Sequence, residues 1–334
     1  MRDPEGMVGN LRVVVLGATA TGKTSLACAL ARRFSGEIVS ADSRQVYRGL
    51  DLGSGKDLSE YGDIPYHLID VASLPGEYNV YSYQRDAYAA IADVLSRGRL
   101  PIVTGGTGLY IDSVVRAYRF ADAPVNSSLR SELDRLSLGE LAERLVATGA
   151  KTHNTTDFED RDRLVRAIEI AEAASGEAAS ADPVSPGSSP PDLDTLVIGI
   201  RYPRPELRDR IRARLAERIR QGMVDEVRSL HAGGVSWERL ERLGLEYRFT
   251  AEYLQGKIPT EREFFEGLCT AICRFAKRQE TWFRGMERKG VGINWIDGAD
   301  AETAAGLVSG RRPSCKEENR RDLRDREGRG LFHF

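Results

Sequence analysis

Cysteine and long apolar runs are scarce in this sequence. Only four of its 334 residues are cysteine, and no two of them form a Cys-x-x-Cys pair. We therefore expect no disulfide framework and no zinc site, with Cys28, Cys269 and Cys273 as buried free thiols. No segment approaches the run of about 20 apolar residues that a membrane-spanning helix needs. These absences predict a cytoplasmic protein without a membrane partner.

A large excess of charge of either sign is also absent, because the formal net charge is only −2. The sum therefore does not indicate a polyanionic partner. The distribution is more informative, since 41 of the 48 basic residues are arginine and seven are lysine. Residues 201–220 contain eight arginines against three acids. Because guanidinium groups bind phosphates and stack on bases, this run predicts either an anion-binding surface or a solvated helix face.

Strand and helix patterns alternate through the first third of the chain. Residues 13–16 form a continuous apolar run, as expected for a central strand that is buried on both faces. The helix that follows has Leu26, Leu30 and Phe34 on one face. Further strands are predicted at residues 37–40, 66–69, 100–104 and 196–200. Strands separated by helices indicate an α/β fold, with a parallel sheet and helices on both faces.

The strand signal disappears over residues 127–175, where the pattern is helical. A helical block between two strands of one sheet indicates an inserted all-helical subdomain, which we place at residues 121–177. The sheet-containing core then comprises residues 11–120 and 193–298. Within the second part of this core, Thr260 followed by Glu263 is typical of the start of a long helix.

Three other segments have compositions that disfavour regular structure. Residues 178–192 are rich in serine, proline, alanine and glycine, which predicts a flexible loop. Residues 1–10 have no apolar core, so we expect a short disordered leader. Residues 299–334 are polar and nearly free of apolar periodicity, which predicts a disordered tail.

The segment after the first predicted strand matches the phosphate-binding P-loop. Its residues are Gly17, Ala18, Thr19, Ala20, Thr21, Gly22, Lys23 and Thr24. The glycines let backbone N–H groups wrap around a phosphate, and the positive end of the next helix adds to the attraction. Lys23 is suited to reach the outer phosphate, and the Thr24 hydroxyl to hold Mg²⁺. The pattern indicates a P-loop NTPase-like core that binds a diphosphate or triphosphate, without indicating which reaction.

Two further motifs follow predicted strands. Asp42 begins the segment Asp-Ser-Arg-Gln-Val-Tyr after the second strand, and Thr107 lies in the segment Gly-Gly-Thr-Gly-Leu-Tyr after the fourth. Because α/β sheets bind ligands at the carboxyl ends of their strands, we expect both residues beside the P-loop. Asp42 is suited to ligate Mg²⁺ through water, to act as a base, or only to cap a helix. The glycines around Thr107 allow close backbone approach or form only a tight turn.

Taken in order, these three motifs resemble those of the tRNA dimethylallyltransferases, also called tRNA isopentenyltransferases. Shorter matches are Leu-Ile-Asp at residues 68–70, Arg-Ala-Ile-Glu at 166–169 and Ala-Lys-Arg-Gln-Glu-Thr-Trp-Phe-Arg at 276–284. The resemblance extends from about residue 12 to residue 297. The chain departs from the family pattern at Tyr66, Glu246, Phe249 and Cys273.

This resemblance implies a prenyl transfer in which the P-loop binds the diphosphate of dimethylallyl diphosphate. It further implies that Lys23, Arg214 and a Mg²⁺ ion on Thr24 neutralise the leaving diphosphate. By the same resemblance, the expected acceptor is the exocyclic N6 amine of the adenosine on the 3′ side of the anticodon, and the expected product is N6-isopentenyladenosine. The resemblance also implies that the adenine is flipped into a channel, where Asp42 accepts a proton and Thr107 lies near the reacting atoms.

The family pattern also implies which residues contact the anticodon loop of tRNA. They are Asp42, Ser43, Arg44, Gln45, Thr107, Arg130, Asp162, Arg163, Arg166, Arg248, Lys277 and Arg278. Arg163 and Arg166 share a helix face, which suits either phosphate contacts or intrahelical pairs with Glu159 and Asp162. Trp282 and Phe283 are more typical of a core than of a base-stacking platform.

Three other functions fit parts of the pattern. A kinase of a small metabolite would also use the P-loop, with the arginine-rich residues 201–220 as its lid. An isopentenyltransferase acting on free adenine nucleotides would share the site, but the long helical insert favours tRNA. A catalytically inactive RNA-binding protein is disfavoured by the intact set Lys23, Thr24, Asp42 and Thr107. Nothing in the sequence indicates an assembly larger than a monomer.

Overall fold

Six parallel strands form one sheet in the computed structural model, which describes residues 10–118, 126–149, 161–175 and 193–311. The strands are β1 Leu11–Gly17, β2 Gly36–Ser40, β3 Tyr66–His67, β4 Leu100–Gly105, β5 Asp194–Arg201 and β6 Ile293–Asp297. Their order across the sheet is β3-β2-β4-β1-β5-β6. Since β1 lies between β4 and β5, the loop that follows it emerges from the middle of the sheet.

Helices connect the strands and cover the sheet. They are α1 Lys23–Phe34, α2 Val80–Ser96, α3 Gly108–Val115, α4 Ser127–Leu133, α5 Leu138–Ala147, α6 Arg161–Ser175, α7 Arg204–Arg220, α8 Met223–Ala232, α9 Trp237–Glu241, α10 Leu245–Leu254, α11 Glu261–Arg288 and α12 Ala301–Ser309. In the part of the chain described above, no helix combines the length and the apolar character needed to cross a bilayer.

Both faces of the sheet are buried, as the apolar run in β1 predicts. Successive side chains of a strand point to opposite faces. Val13 and Val15 therefore pack against α1 and α12, whereas Val14 and Leu16 pack against α2, α3 and α11. The predicted α/β fold with a parallel sheet and helices on both faces is confirmed.

Two strands differ from the prediction. β3 ends at His67 because Leu68 and Asp70 have left-handed backbone angles, with φ of 63° and 56°. β6 was not predicted, since Ile293–Asp297 is a half-buried edge strand whose sequence includes Asn294 and lacks a continuous apolar run. An edge strand buries less of its surface, so its sequence pattern is weaker.

The chain divides into two compact units, one made of Met1–Ala117 with Pro190–Phe334 and the other of Tyr118–Ser189. The second unit spans the segment for which the sequence predicts a helical insert. Its helices α4, α5 and α6 enclose a small leucine-rich core of their own. A capping box between Ser137 and Glu140 begins α5.

The predicted disordered tail is wrong for its first part. Residues Ala301–Ser309 form α12, which begins at a cap where Asp300 accepts from the N–H groups of Glu302 and Thr303. Ala304, Ala305 and Val308 are buried against α1. These small apolar residues give little periodicity, yet they join the core cluster that α1 forms with the sheet. The predicted loop 178–192, the leader up to residue 9 and the tail beyond residue 311 lie outside the described residues.

Candidate active site

The three motifs meet at one edge of the sheet because β2, β4 and β1 are neighbours. The N–H of Ala41, just after β2, donates to the Thr104 carbonyl of β4 at 2.7 Å. The Thr107 N–H donates back to the Ala41 carbonyl at 3.2 Å. Asp42 and Thr107 therefore lie at the carboxyl edge from which the P-loop leaves β1, as the sequence predicts.

The P-loop has the shape of an anion cradle. Ala20 and Gly22 have left-handed backbone angles, which turn the chain sharply into α1. The Ala18 carbonyl accepts hydrogen bonds from the Lys23 amine at 2.6 Å and from the Thr21 hydroxyl at 2.8 Å. No side chain in the described part of the protein caps α1. The first N–H groups of this helix, with the positive end of its dipole, are therefore open to an anion.

Gln279 of α11 joins the P-loop to the loop after β4. Its Oε1 accepts from the Thr19 N–H at 2.9 Å, and its Nε2 donates to the Gly106 carbonyl at 2.8 Å. The side chain is buried, and a Cβ added at Gly106 would lie 2.5 Å from that Nε2. A larger residue at position 106 would therefore displace the Gln279 amide. Sequence reasoning did not assign this role to Gln279, although the residue lies in the motif at 276–284.

Asp42 and Thr107 are linked through Ser43. The Asp42 carboxylate accepts from the Arg44 N–H at 2.9 Å, and the Thr107 hydroxyl accepts from the Ser43 N–H at 3.0 Å. No helix begins at Asp42, so the helix-cap alternative is wrong, and the carboxylate stabilises a turn instead. Among the described residues, its second oxygen has no hydrogen-bond donor. That oxygen is available to accept a proton or to bind a cation.

Three arginines at four-residue spacing on α7 face the P-loop. Arg210 donates to the Ala20 carbonyl at 2.9 Å, and Arg214 donates to the Asp57 carboxylate at 2.8 Å. Arg218 is buried one turn further on. Arg214 and Arg218 line one cleft together with Thr19, Ala20 and Glu246 of α10. The structure thus brings Arg214 to the P-loop as expected, whereas Arg210 and Arg218 were missed despite their helical spacing.

The electrostatics of this cleft favour an anion. Desolvation lowers the pKa of the Lys23 amine to about 7, and Arg214 and Arg218 lower it further while Asp42 opposes the change. Desolvation and Arg214 also lower the pKa of Arg218. Desolvation raises the pKa of the Glu246 carboxyl, against the effect of Arg218. Several cations are therefore held together at a cost that a bound anion would relieve.

Thr24 and Asp42 have oxygen atoms of the kind that could hold a Mg²⁺ ion together with a phosphate. Thr24 lies in the first turn of α1, beside the open N–H groups. In the described ranges, no group of three or more histidine, cysteine, aspartate or glutamate side chains is arranged to hold a metal ion. Mg²⁺ commonly takes one or two protein oxygens and completes its shell with water and phosphate. A shell with the Thr24 hydroxyl as direct ligand and Asp42 bound through water would be of this kind.

The predicted tRNA contacts of the first unit lie in different settings. Gln45 is held internally, since it accepts from the Ser40 hydroxyl at 3.0 Å and donates to the Gly55 carbonyl at 3.0 Å. Among the residues predicted to contact tRNA in this unit, the exposed ones are Arg248, Lys277 and Arg278. The expectation that Trp282 and Phe283 are core residues is confirmed for Phe283, at 0% exposure, and wrong for Trp282, at 41%. The Trp282 ring packs against Gly108, beside the Thr107 motif.

In the second unit, two of the predicted contacts share one carboxylate. Arg130 binds buried Glu169 through two nitrogens at 2.8 and 3.1 Å. Arg166 also donates to Glu169, at 3.2 Å. Arg166 therefore forms an intrahelical pair, with Glu169 as its partner. Arg163 is exposed on the same helix, whereas Glu159 and the Asp162 side chain lie outside what the structure describes.

A P-loop at the centre of a parallel sheet, with cations over it and a carboxylate beside it, is typical of an enzyme that acts on a phosphorylated substrate. The family model described as IPP transferase matches residues 45–286, and the model described as isopentenyl transferase matches residues 10–61. The chain belongs to the IPP transferase family. The predicted family and the predicted class of enzyme, a prenyltransferase, are confirmed.

Curated relatives are similar over most of their length. A tRNA dimethylallyltransferase 2 of Treponema denticola is 57% identical over 284 residues, which are 85% of this chain and 95% of the relative. A tRNA dimethylallyltransferase 1 of Geotalea uraniireducens is 52% identical over 286 residues, or 86% of this chain and 92% of the relative.

Solved structures show the same fold. A tRNA isopentenylpyrophosphate transferase of Bacillus halodurans is 28% identical, with a TM-score of 0.63 over 90% of this chain and 97% of that protein. A eukaryotic dimethylallyltransferase acting on tRNA has a TM-score of 0.70 at 23% identity, over 90% of this chain and 77% of that chain. The second likeness bears on the fold alone.

Proposed function

We propose that this enzyme transfers the dimethylallyl group of dimethylallyl diphosphate to the N6 amine of the adenosine on the 3′ side of the tRNA anticodon. The observation that carries the proposal is the placement of two sites at one sheet edge. A cationic cradle for a diphosphate adjoins the Asp42–Thr107 pair, which suits a proton acceptor. The names of the curated relatives supply the substrate class.

The donor diphosphate binds in the cleft between the P-loop and α7. The uncapped N-terminus of α1 supplies N–H donors, and Lys23 and Arg214 supply positive charge. When the donor binds, Arg214 either leaves the Asp57 carboxylate for the phosphate oxygens or contacts both. Thr24 would hold Mg²⁺, which would supply charge neutralisation for the leaving group. Because these groups favour the departing diphosphate more than the bound ester, they lower the barrier to ionisation.

The transfer itself needs little chemistry from the protein. The N6 nitrogen of adenine attacks the allylic carbon, the carbon–oxygen bond breaks, and diphosphate leaves with the electron pair. N6 loses one proton, which the free oxygen of Asp42 accepts. Thr107, whose hydroxyl is fixed by the Ser43 N–H, lies beside this carboxylate. The allylic double bond stabilises the developing cation, so the isomer isopentenyl diphosphate is expected to be inert as a donor.

The tRNA is bound through its anticodon loop, because a base in a loop is extruded at lower cost than one in a duplex. The exposed face of α11, with Lys277, Arg278 and Trp282, offers phosphate contacts and a stacking surface next to the Thr107 motif. Arg44 and Arg248 extend these contacts in the first unit, and Arg130, Asp162, Arg163 and Arg166 supply those of the insert. We expect the enzyme to act as a cytoplasmic monomer.

The test is incubation of the full chain with dimethylallyl diphosphate, Mg²⁺ and an unmodified tRNA, followed by nucleoside mass spectrometry. We expect N6-isopentenyladenosine at a single position. Lys23→Ala should abolish the product, whereas Lys289→Ala, at an exposed lysine of no assigned role, should not change it. Prenylation of free AMP in preference to tRNA, or phosphate transfer from ATP to a small molecule, would contradict the proposal.

A further inference from the structure

Arg218 is an unusual residue in the cleft because it is buried and forms no ion pair with any described residue. The residue is only 7% exposed. Its Nε and Nη2 have no hydrogen-bond partner among the residues that the structure describes. A buried guanidinium with unused N–H groups destabilises a protein, so such groups normally acquire partners. The free donors therefore indicate a ligand that completes them.

The position of the Arg218 head is fixed by a rigid wall. A Cβ added at Gly55 would lie 1.8 Å from the Arg218 Nη2, so the guanidinium rests directly on this glycine backbone. The loop that carries Gly55 is held by Glu226 of α8, which accepts from the N–H groups of Leu52 at 2.6 Å and of Gly53 at 3.1 Å. Buried Lys56 donates to the Tyr47 carbonyl on the other side of the loop. The wall keeps Arg218 in the cleft instead of letting it fold away.

The neighbouring charges leave Arg218 unmatched. Arg214 has an ion pair with Asp57, but no carboxylate lies within ion-pair distance of Arg218 in the described part of the chain. Glu246 is close enough to affect its pKa, yet it accepts no hydrogen bond from it. The two residues line the same cleft as Thr19 and Ala20 of the P-loop. An anion in this cleft therefore meets donors that no protein group uses.

We propose that Arg218 is a direct ligand of the donor diphosphate and that it makes the site selective for diphosphates over monophosphates. The inference rests on the proposed function and assigns one more residue to that site. Lys23, Arg214 and Arg218 together supply three cations. A diphosphate has one more phosphate than a monophosphate, and the negative charge and oxygens of that phosphate can bind the third of these cations. Nε and Nη2 lie on one edge of the planar guanidinium, and such an edge can bind a phosphate in a bidentate manner.

Arg218→Met tests this with inorganic pyrophosphate and inorganic phosphate as probes, binding being measured by calorimetry on the full chain with Mg²⁺. We expect pyrophosphate affinity to fall by about 10²- to 10⁴-fold, as the loss of two charge-assisted hydrogen bonds implies, with phosphate affinity nearly unchanged. In thermal unfolding without ligand, the variant should be at least as stable as the wild type, because an uncompensated buried charge is removed. Arg208→Met, an exposed position on the same helix, is the control and should change neither quantity.

Turnover gives an independent readout. KM for dimethylallyl diphosphate should rise in Arg218→Met while KM for tRNA stays constant. Arg218→Lys, which keeps the charge but loses the planar fork, should bind pyrophosphate with intermediate affinity, and this variant decides the question if the methionine variant does not fold. Wild-type affinity in Arg218→Met, or lost stability with unchanged affinity, would overturn the proposal and leave Arg218 a structural residue. If the wild type itself does not bind pyrophosphate, the proposed function fails as well.

Discussion

Replacing Asp42 by asparagine separates its chemical role from its structural one. The residue accepts the Arg44 N–H at 2.9 Å and begins no helix. An asparagine side-chain oxygen can accept the same hydrogen bond, so the turn should remain intact. What the variant loses is the negative charge and the ability to take up a proton. We therefore expect the Asp42→Asn variant to fold and to bind tRNA normally.

Two effects set the size of the change in rate. Loss of a positioned general base lowers turnover by about 10²- to 10⁴-fold. Since the adenine amine is a weak nucleophile until the allylic carbon becomes cationic, proton removal accompanies or follows attack, and we expect the low end of this range. A second effect acts through Lys23, because the Asp42 carboxylate raises the pKa of that amine. Without the carboxylate, less of Lys23 is protonated at neutral pH, and the donor should bind more weakly.

The assay is single-turnover prenylation of tRNA at saturating dimethylallyl diphosphate, at about pH 6 and about pH 8. Weaker donor binding through Lys23 is overcome by saturation and by the lower pH. The lower rate that results from loss of the base is restored neither by saturation with donor nor by the lower pH. Asp63→Asn, at an exposed aspartate, is the matched control and should behave as the wild type. Near-normal single-turnover rates in Asp42→Asn would refute the base role and leave Asp42 as a turn residue or an outer ligand of the metal.

Three further outcomes are expected. Pyrophosphate affinity should fall as the pH rises from about 7 to about 9, because the free Lys23 amine, with a pKa of about 7, must be protonated to bind the anion. Lys23→Met is the control, since it lacks this amine. The same pH profile in the wild type and in Lys23→Met would contradict the prediction. Truncation after Asp300 removes the buried side chains of α12 and should lower the free energy of unfolding by about 2–4 kcal/mol in urea titrations, whereas truncation after Arg311 should not. Gly106→Ala should displace Gln279 and reduce kcat about tenfold or more, and unchanged kinetics would show that the bridge is dispensable.

The P-loop, Asp42 and Thr107 were predictable because each follows a strand of one parallel sheet. The carboxyl ends of such strands meet at one edge, so three motifs distant in sequence are expected to be neighbours. The structure places them as expected. The helical spacing of Arg210, Arg214 and Arg218 was equally visible, but spacing alone does not show which neighbour a helix face meets.

By itself, the sequence determined the elements whose signal is local: the buried run of β1, the glycine turns of the P-loop and the amphipathic helices. Tertiary structure alone decided the contacts between distant segments. Gln279 lies 260 residues from Thr19, and its amide acquires a function only when α11 packs against the P-loop. The same holds for α12, whose small apolar side chains are too few to form a stable helix until α1 offers a surface to bury them. Burial of this kind depends on the partner surface, which no short stretch of sequence contains.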